Sequence, residues 1–303
     1  MDTRTELREF LTTRRDRVTP DQVGLPTYGT RRRVSGLRRE EVALLAGISV
    51  EYYTRLERGN PGGVSDDVLD SVARALQLDD AERAHLDDLV RAAKDDRPPR
   101  RRRTPRRVRP GVQQVLDAMT GAAAYVRNGR LDVLAANTLG RALLADVYDS
   151  PAQPPNLARF NFLDPRAPAF YRDFEAASDD CVALLRAEAG RDPHDDELTG
   201  LVGELSTRSD DFRVRWANHD VKFHRTGNKA LHHPLVGDLD LGYEALELPG
   251  DPGQSLIVYT AAPNTPTRQA LDLLASWASP PAPGDADAAA RAEDTTNDPA
   301  DRR

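Results

Sequence analysis

A chain of 303 residues, 39% hydrophobic and 30% charged, is long enough for two globular domains and leaves room for stretches that do not pack. It contains no run of 18 apolar residues, so no membrane-spanning helix is expected, and its polar, charged first residues do not read as a signal-peptide core. The net charge of −7 is unevenly spread: residues 1–110 carry 24 Lys and Arg against 19 Asp and Glu, and the remainder carries 18 against 30. A basic half suits phosphates and an acidic half suits a module that stays off nucleic acid.

Residues 3–17 read as a first helix, with Leu7, Phe10 and Leu11 at helical spacing. A loop over 18–35 ends in Arg31, Arg32 and Arg33, either a solvated run or a patch that steers toward DNA. Two short helices follow. Gly47 stands at their corner, where a positive φ ends the first helix without steric cost, and Ser49 supplies an N-cap for the second. Val42, Ala46, Ile48, Tyr53 and Leu56 fall where the pair must pack, and small Ala43 lets the helices cross closely. This is the pattern of a helix-turn-helix, whose second helix enters the major groove.

The positions facing away from that core are Val50, Glu51, Thr54, Arg55 and Arg58. Val50 can touch a thymine methyl, Glu51 can accept from cytosine N4 or simply complement the helix N-terminus, and Arg55 can grip guanine O6 and N7. Arg38, Tyr52, Thr54 and Arg58 suit phosphates, and Ser49 lies beside them at the helix start. Ser65 should cap a fourth helix with Val68, Leu69, Val72 and Leu76 as its core face, and Asp79-Asp80 should begin a fifth.

The string from Gly36 to Glu57, closed by Glu57-Arg58-Gly59, resembles the XRE-type, lambda-repressor-like regulators, and in particular the branch that carries an MmyB-like ligand-binding domain. The resemblance implies an all-α, five-helix DNA-binding domain, here residues 1–95, and a base or phosphate contact at Arg39, which matches a family Gln. Relatives often begin the first of the two helices with Ser or Thr and Gln; Arg38 and Arg39 weaken that side-chain cap, while Glu40 and Glu41 suit the helix dipole.

Residues 97–110 hold eight Arg, four Pro and no acid, so residues 96–110 read as a linker, either a passive tether or one that adds phosphate or minor-groove contacts. A second domain then covers 111–278. It opens with a helix over 112–119 and a hairpin, 123–127 with 130–135, turned by Asn128-Gly129 as a two-residue type I′ turn. Asn137 should cap the next helix, residues 156–218 read as mostly helical, and three or four strands follow. Leu239, Leu241 and Tyr243 alternate as in a half-buried strand, and Leu256 to Tyr259 reads as a more central one. A helix over 267–277 closes the domain, and the Pro-, Ala- and Asp-rich residues 279–303 read as a disordered tail.

The strings Leu131–Asn137, Trp216–Val221, His233-Pro234 with Val236-Gly237, and Leu241 with Tyr243-Glu244 are similar to the MmyB-like family. That resemblance implies an α+β, PAS-like domain whose ligands in some relatives are long-chain fatty acids. Periodicity alone gives only an α+β domain. The expected pocket lies between the sheet and the 156–218 helices, with Arg215, Trp216, His219, Arg225, His233 and Tyr243 as candidate ligand contacts; Arg215 and Arg225 are the candidates for a carboxylate. Adjacent His232 and His233 point to opposite faces of a strand, so no metal is expected. The lone Cys181 excludes an internal disulfide, fits a reducing cytoplasm near the nucleoid, and reads as a small buried residue or else as a redox sensor. No nucleophile elbow, phosphate loop or HExxH is present, so no enzyme and no cofactor are expected. The expectation is a DNA-binding regulator, a homodimer of the kind a palindromic operator requires, which senses a small hydrophobic ligand; a ligand-free dimerisation or partner-binding module is the other reading of the second domain.

Overall fold

The computed structural model describes residues 2–25, 34–94, 107–218 and 226–278. The arginine run 31–33, most of the linker and the tail lie outside them.

The N-terminal half is a helical bundle: α1 (Thr3–Arg17), α2 (Arg39–Ala46), α3 (Val50–Glu57), α4 (Asp66–Ala75) and α5 (Asp80–Lys94), with a 3₁₀ turn at Pro20–Val23. One apolar cluster holds it together. Leu7, Phe10 and Leu11 of α1 meet Leu37, Val42, Tyr53, Leu56, Val72, Leu76 and Leu86, all essentially buried. Asp79 opens α5 with a reciprocal cap: its Oδ1 accepts from the Glu82 amide at 2.8 Å, and Glu82 Oε2 accepts from the Asp79 amide at 3.0 Å. Ser65 occupies the N-cap of α4, but only its backbone carbonyl is used, by Val68 and Leu69.

The second half begins with α6 (Pro110–Ala118), β1 (Ala123–Asn128), β2 (Val133–Ala136), α7 (Thr138–Leu143) and α8 (Ala145–Tyr148). A helical stretch follows: α9 (Leu157–Leu163), α10 (Ala167–Phe170), α11 (Phe174–Arg191), α12 (Asp196–Arg208) and α13 (Asp210–Ala217). The meander β3 (Thr226–His233), β4 (Gly237–Glu247) and β5 (Gln254–Thr260) and the helix α14 (Pro266–Ala278) complete it. The five strands form one antiparallel sheet in the order β2-β1-β5-β4-β3, so β5 is central, as its continuous apolar run requires. The sheet's inner face, with Ala123, Tyr125, Leu231, Leu239, Leu241 and Ile257, packs on Phe160, Phe170 and Leu271.

Asn137 caps α7 as expected: its Oδ1 accepts from Gly140 N at 2.7 Å and also from Ala124 N at 3.0 Å. The hairpin departs from expectation. Asn128-Gly129 does not form a two-residue turn, because Asn128 Oδ1 accepts from both Arg130 N, 3.0 Å, and Asp132 N, 2.9 Å. The loop is longer, and Leu131 takes the positive φ of 66° that a two-residue type I′ turn would assign to Asn128 and Gly129. Gly129 is needed for space instead: a Cβ there would lie 2.1 Å from the Glu188 side chain.

Candidate functional site

The candidate DNA-reading face is built on α2 and α3. Gly47 ends α2 at φ 67°, its amide shared between the Ala43 and Leu44 carbonyls, and Ser49 Oγ accepts from Tyr52 N at 3.1 Å to start α3. Val42, Ala43, Ala46, Tyr53 and Leu56 are buried between the helices. What remains outward is one contiguous open surface of Val50, Glu51, Thr54, Arg55, Arg58 and Asn60, with Val50 42% exposed. Arg55 is already oriented. Its guanidinium lies 4.8 Å over the Tyr52 ring and donates to the Gly62 carbonyl at 3.4 Å, while Tyr52 OH donates to the Gly63 carbonyl at 3.3 Å. Arg38 is exposed, and its amide donates to Glu41 Oε2 at 2.6 Å, the half of a capping box that an Arg permits.

Arg39 has a partner within the fold, while its side chain stays about half exposed. Its Nε donates to Glu57, which is 1% exposed and also accepts from Arg15 Nε at 2.6 Å and from Tyr53 OH at 3.4 Å. Arg15 in turn donates to the Leu37 carbonyl at 2.8 Å. One carboxylate thus ties α1, α2 and α3 together. Burial, with Glu57 alongside, pushes the Tyr53 phenol up, so it stays a neutral donor. Gly59 completes the lock, since a Cβ there would sit 2.2 Å from the Arg4 carbonyl oxygen.

The second site is a cavity of about 80 Å³ between the sheet and the helices α9 to α11. Its wall is mostly apolar, including Leu144, Phe170, Leu184, Leu231 and Ile257, with the phenols of Tyr125, Tyr171, Tyr243 and Tyr259. Burial raises the phenol pKa at Tyr125 and Tyr171, so both are neutral. Cys181 also lines it; burial pushes its thiol up to about 12, the opposite of what a redox-reactive cysteine needs. Three charged groups reach the same space: Arg127, and Lys229 paired with Asp180 at 2.7 Å. Arg127 is 8% exposed; its one side-chain hydrogen bond among the described residues is long, 3.5 Å to the Asn128 carbonyl, and its charge interacts with that of Glu188. It also borders a neighbouring hollow of about 320 Å³ with Leu184, Glu188 and Arg191.

Of the residues expected here, Tyr243 lines the cavity. Arg215 does not. It lies on α13, bound to Asp211 at 2.8 Å and to Glu175 and Asp179 of α11. Trp216 also stands away from the cavity, stacked on Phe212 with centroids 5.5 Å apart and lying under Arg186. His233 is buried as a structural link: Leu235 N donates to its Nδ1 at 3.2 Å, which leaves the proton on Nε2 to reach the Ala142 carbonyl at 3.0 Å. His219 and Arg225 lie outside the described residues. The polar groups of the cavity are instead Arg127, Asp180 and Lys229, none of them among the expected contacts. Strand alternation carries the signal for two of them: Arg127 shares a face with Ala123 and Tyr125, and Lys229 shares one with Leu231. Among the described residues no cluster of His, Cys, Asp or Glu could hold a metal ion, and no helix is long and apolar enough to cross a membrane.

A helix-turn-helix with an open reading face, joined to an α+β domain that holds an apolar cavity, is the build of a ligand-responsive DNA-binding regulator. Family comparison agrees. Residues 6–86 match the helix-turn-helix domain family, and residues 108–274, more than half of the chain, match the MmyB-like transcription regulator ligand binding domain. The chain belongs to the MmyB-like transcription regulators. A search of curated proteins gave no significant match.

Proposed function

We propose that this protein is a one-component transcription regulator of the XRE type. Its lambda-repressor-like domain reads a palindromic operator as a homodimer, and its PAS-like domain takes a hydrophobic ligand with an anionic end, a fatty acid being the leading candidate. The observation that carries this reading is Arg127, a buried guanidinium with one long hydrogen bond, set in the wall of an apolar cavity. Burying a cation is costly unless a partner completes it; Glu188 in the adjoining hollow offsets part of the Arg127 charge, and a ligand carboxylate in the cavity would supply the direct hydrogen bonds that Glu188 does not make. Exposed Leu273 and Trp277, one turn apart on α14, offer a second copy an apolar strip. Native mass measurement of the protein as isolated, followed by lipid extraction, tests the ligand: a bound acyl compound is expected, and a bare chain together with an inert lipid panel would favour a dimerisation or partner-binding module.

On the DNA side, Arg55 is the base reader. Arg55→Ala should lower affinity for a selected operator by about 1–3 kcal/mol and change non-specific binding far less. Equal weakening on all sequences would make it a phosphate contact. Neutralising Arg100, Arg101, Arg102 and Arg103 should reduce the salt slope of DNA binding by about 0.9 for each phosphate that those side chains neutralise. An unchanged slope would leave the linker a passive tether.

A further inference from the structure

We propose that α11 is the moving part of this regulator: filling the cavity displaces α11 and loosens its docking onto the DNA-binding domain through Arg186, Glu6 and His85. The proposal rests on reading the cavity as a ligand site, but its test does not need the ligand.

Helix α11 has two working faces. Ala177, Asp180, Cys181 and Leu184 line the cavity, and Glu188 continues that stripe into the adjoining hollow. Two residues along a helix is a rotation of about 200°, so Arg186 and Gly190 point the other way from Leu184 and Glu188. That opposite face meets the N-terminal bundle. Arg186 is 1% exposed; its Nη1 donates to Glu6 Oε2 of α1 at 2.8 Å, its guanidinium lies 4.1 Å over the Trp216 ring, and its Nη2 donates to the Trp216 carbonyl. Gly190 brings the helix backbone against α5, where a Cβ would lie 2.5 Å from the His85 ring. His85 packs edge-on to Phe10, 5.2 Å away in the core of the bundle.

Two features make this docking a switch. First, the cavity is small. Benzene occupies an engineered protein cavity of about 150 Å³, so at about 80 Å³ an acyl chain either pushes a wall outward or passes between Arg127 and Leu184 into the adjoining hollow, and α11 bounds both spaces. The sheet wall is fixed by continuous ladders between β1, β5, β4 and β3, while α11 is held by side-chain packing and gives first. Second, the docking is centred on an ion pair whose arginine is buried and whose glutamate is partly exposed. Desolvation offsets most of its Coulombic gain, and on opening both Arg186 and Glu6 regain water. Such a pair fixes one geometry without making it hard to leave. Docking does not cover the reading face, whose Val50 and Arg55 remain exposed, so what it controls is the orientation of that face.

The test uses the full chain and hydrogen exchange of α1 and α5. Cys181→Phe fills the cavity from α11 without any ligand. It should speed exchange in α5 by about tenfold, as should Glu6→Gln, which removes the charge from the Glu6 side of the docking pair. Arg186→Glu should do the same, and the swap Glu6→Arg with Arg186→Glu should restore protection only in part, because a carboxylate at position 186 cannot replace the donation to the Trp216 carbonyl or the contact with its ring. Should Cys181→Phe disturb folding, Ala177→Leu fills the same space with less bulk. A folded, filled variant with unchanged α5 exchange overturns the relay, whatever the lipid panel shows. Dodecanoate that binds by native mass yet leaves α5 exchange unchanged overturns it too, with the ligand reading intact. Absence of acyl binding together with faster exchange in the filled variants keeps the relay and removes the fatty acid.

Discussion

Glu57→Ala should destabilise the DNA-binding domain by about 3–5 kcal/mol, the scale for removing one partner of a buried ion pair. The loss exceeds that of one hydrogen bond because of what stays behind. Arg15, with its side chain 10% exposed, would keep its charge but lose the carboxylate at 2.6 Å, and Tyr53 OH would lose its acceptor. Arg39 would also be released from α3. A small helical domain has a total stability of only about 5–15 kcal/mol, so a substantial fraction of molecules would unfold near growth temperature and operator binding would fall with it. Denaturant titration of the variant measures the change, which should appear as a lower midpoint with an unchanged slope. The double replacement Arg15→Met with Glu57→Leu should recover much of the loss, since an apolar pair of similar volume avoids the desolvation cost. A loss under 1 kcal/mol for Glu57→Ala would show that water reaches the site and that the three helices do not depend on this carboxylate.

Glu57 also illustrates where sequence reading stops. The helices α1 to α5 are legible because their apolar residues recur at helical spacing, and Gly47 with Ser49 announces the corner between α2 and α3. Those are local signals. The partner of Glu57 lies 42 residues earlier, at Arg15, and the reason for Gly59 is the Arg4 carbonyl. Neither is visible until the chain is folded, and no local signal shows that Arg39, read as a DNA contact, also holds Glu57. The same holds in the second domain. Asn128-Gly129 is a sound turn signal, yet the turn is set by Asn128's own side chain and Gly129 by Glu188 of α11. Arg215 reads as a cation beside an aromatic, and of its three carboxylate partners only Asp211, one turn back on the same helix, is readable. Arg127 needs no folded chain to be noticed: a charged residue at strand spacing from Ala123 and Tyr125 is an anomaly on an otherwise apolar face.

Dodecanoate should raise the stability of the whole protein by about 2.7 kcal/mol at a hundredfold excess over its Kd, because a ligand that binds only the folded state adds RT ln(1 + [L]/Kd). The gain should depend on Arg127. Arg127→Met keeps much of the length of the side chain and removes the charge, and a hydrogen bond to a charged group is worth about 1.5–3 kcal/mol, so dodecanoate should bind roughly ten- to a hundredfold more weakly. Dodecanol, with the same chain and no charge, should bind both proteins alike. Lys229 gives a control on geometry: it is already paired with Asp180, so Lys229→Met should matter less than Arg127→Met. Trp216→Ala, remote from the cavity, should loosen Arg186, and because undocking and filling are linked, dodecanoate affinity should rise rather than fall. If dodecanoate stabilised the wild type and Arg127→Met equally, the acyl chain would be held by burial alone and the anion would lie elsewhere. If no acyl compound shifted the melting temperature, the cavity would be a packing defect, and the exposed pair Leu273 and Trp277 would become the feature by which this domain works, as a surface for another protein chain.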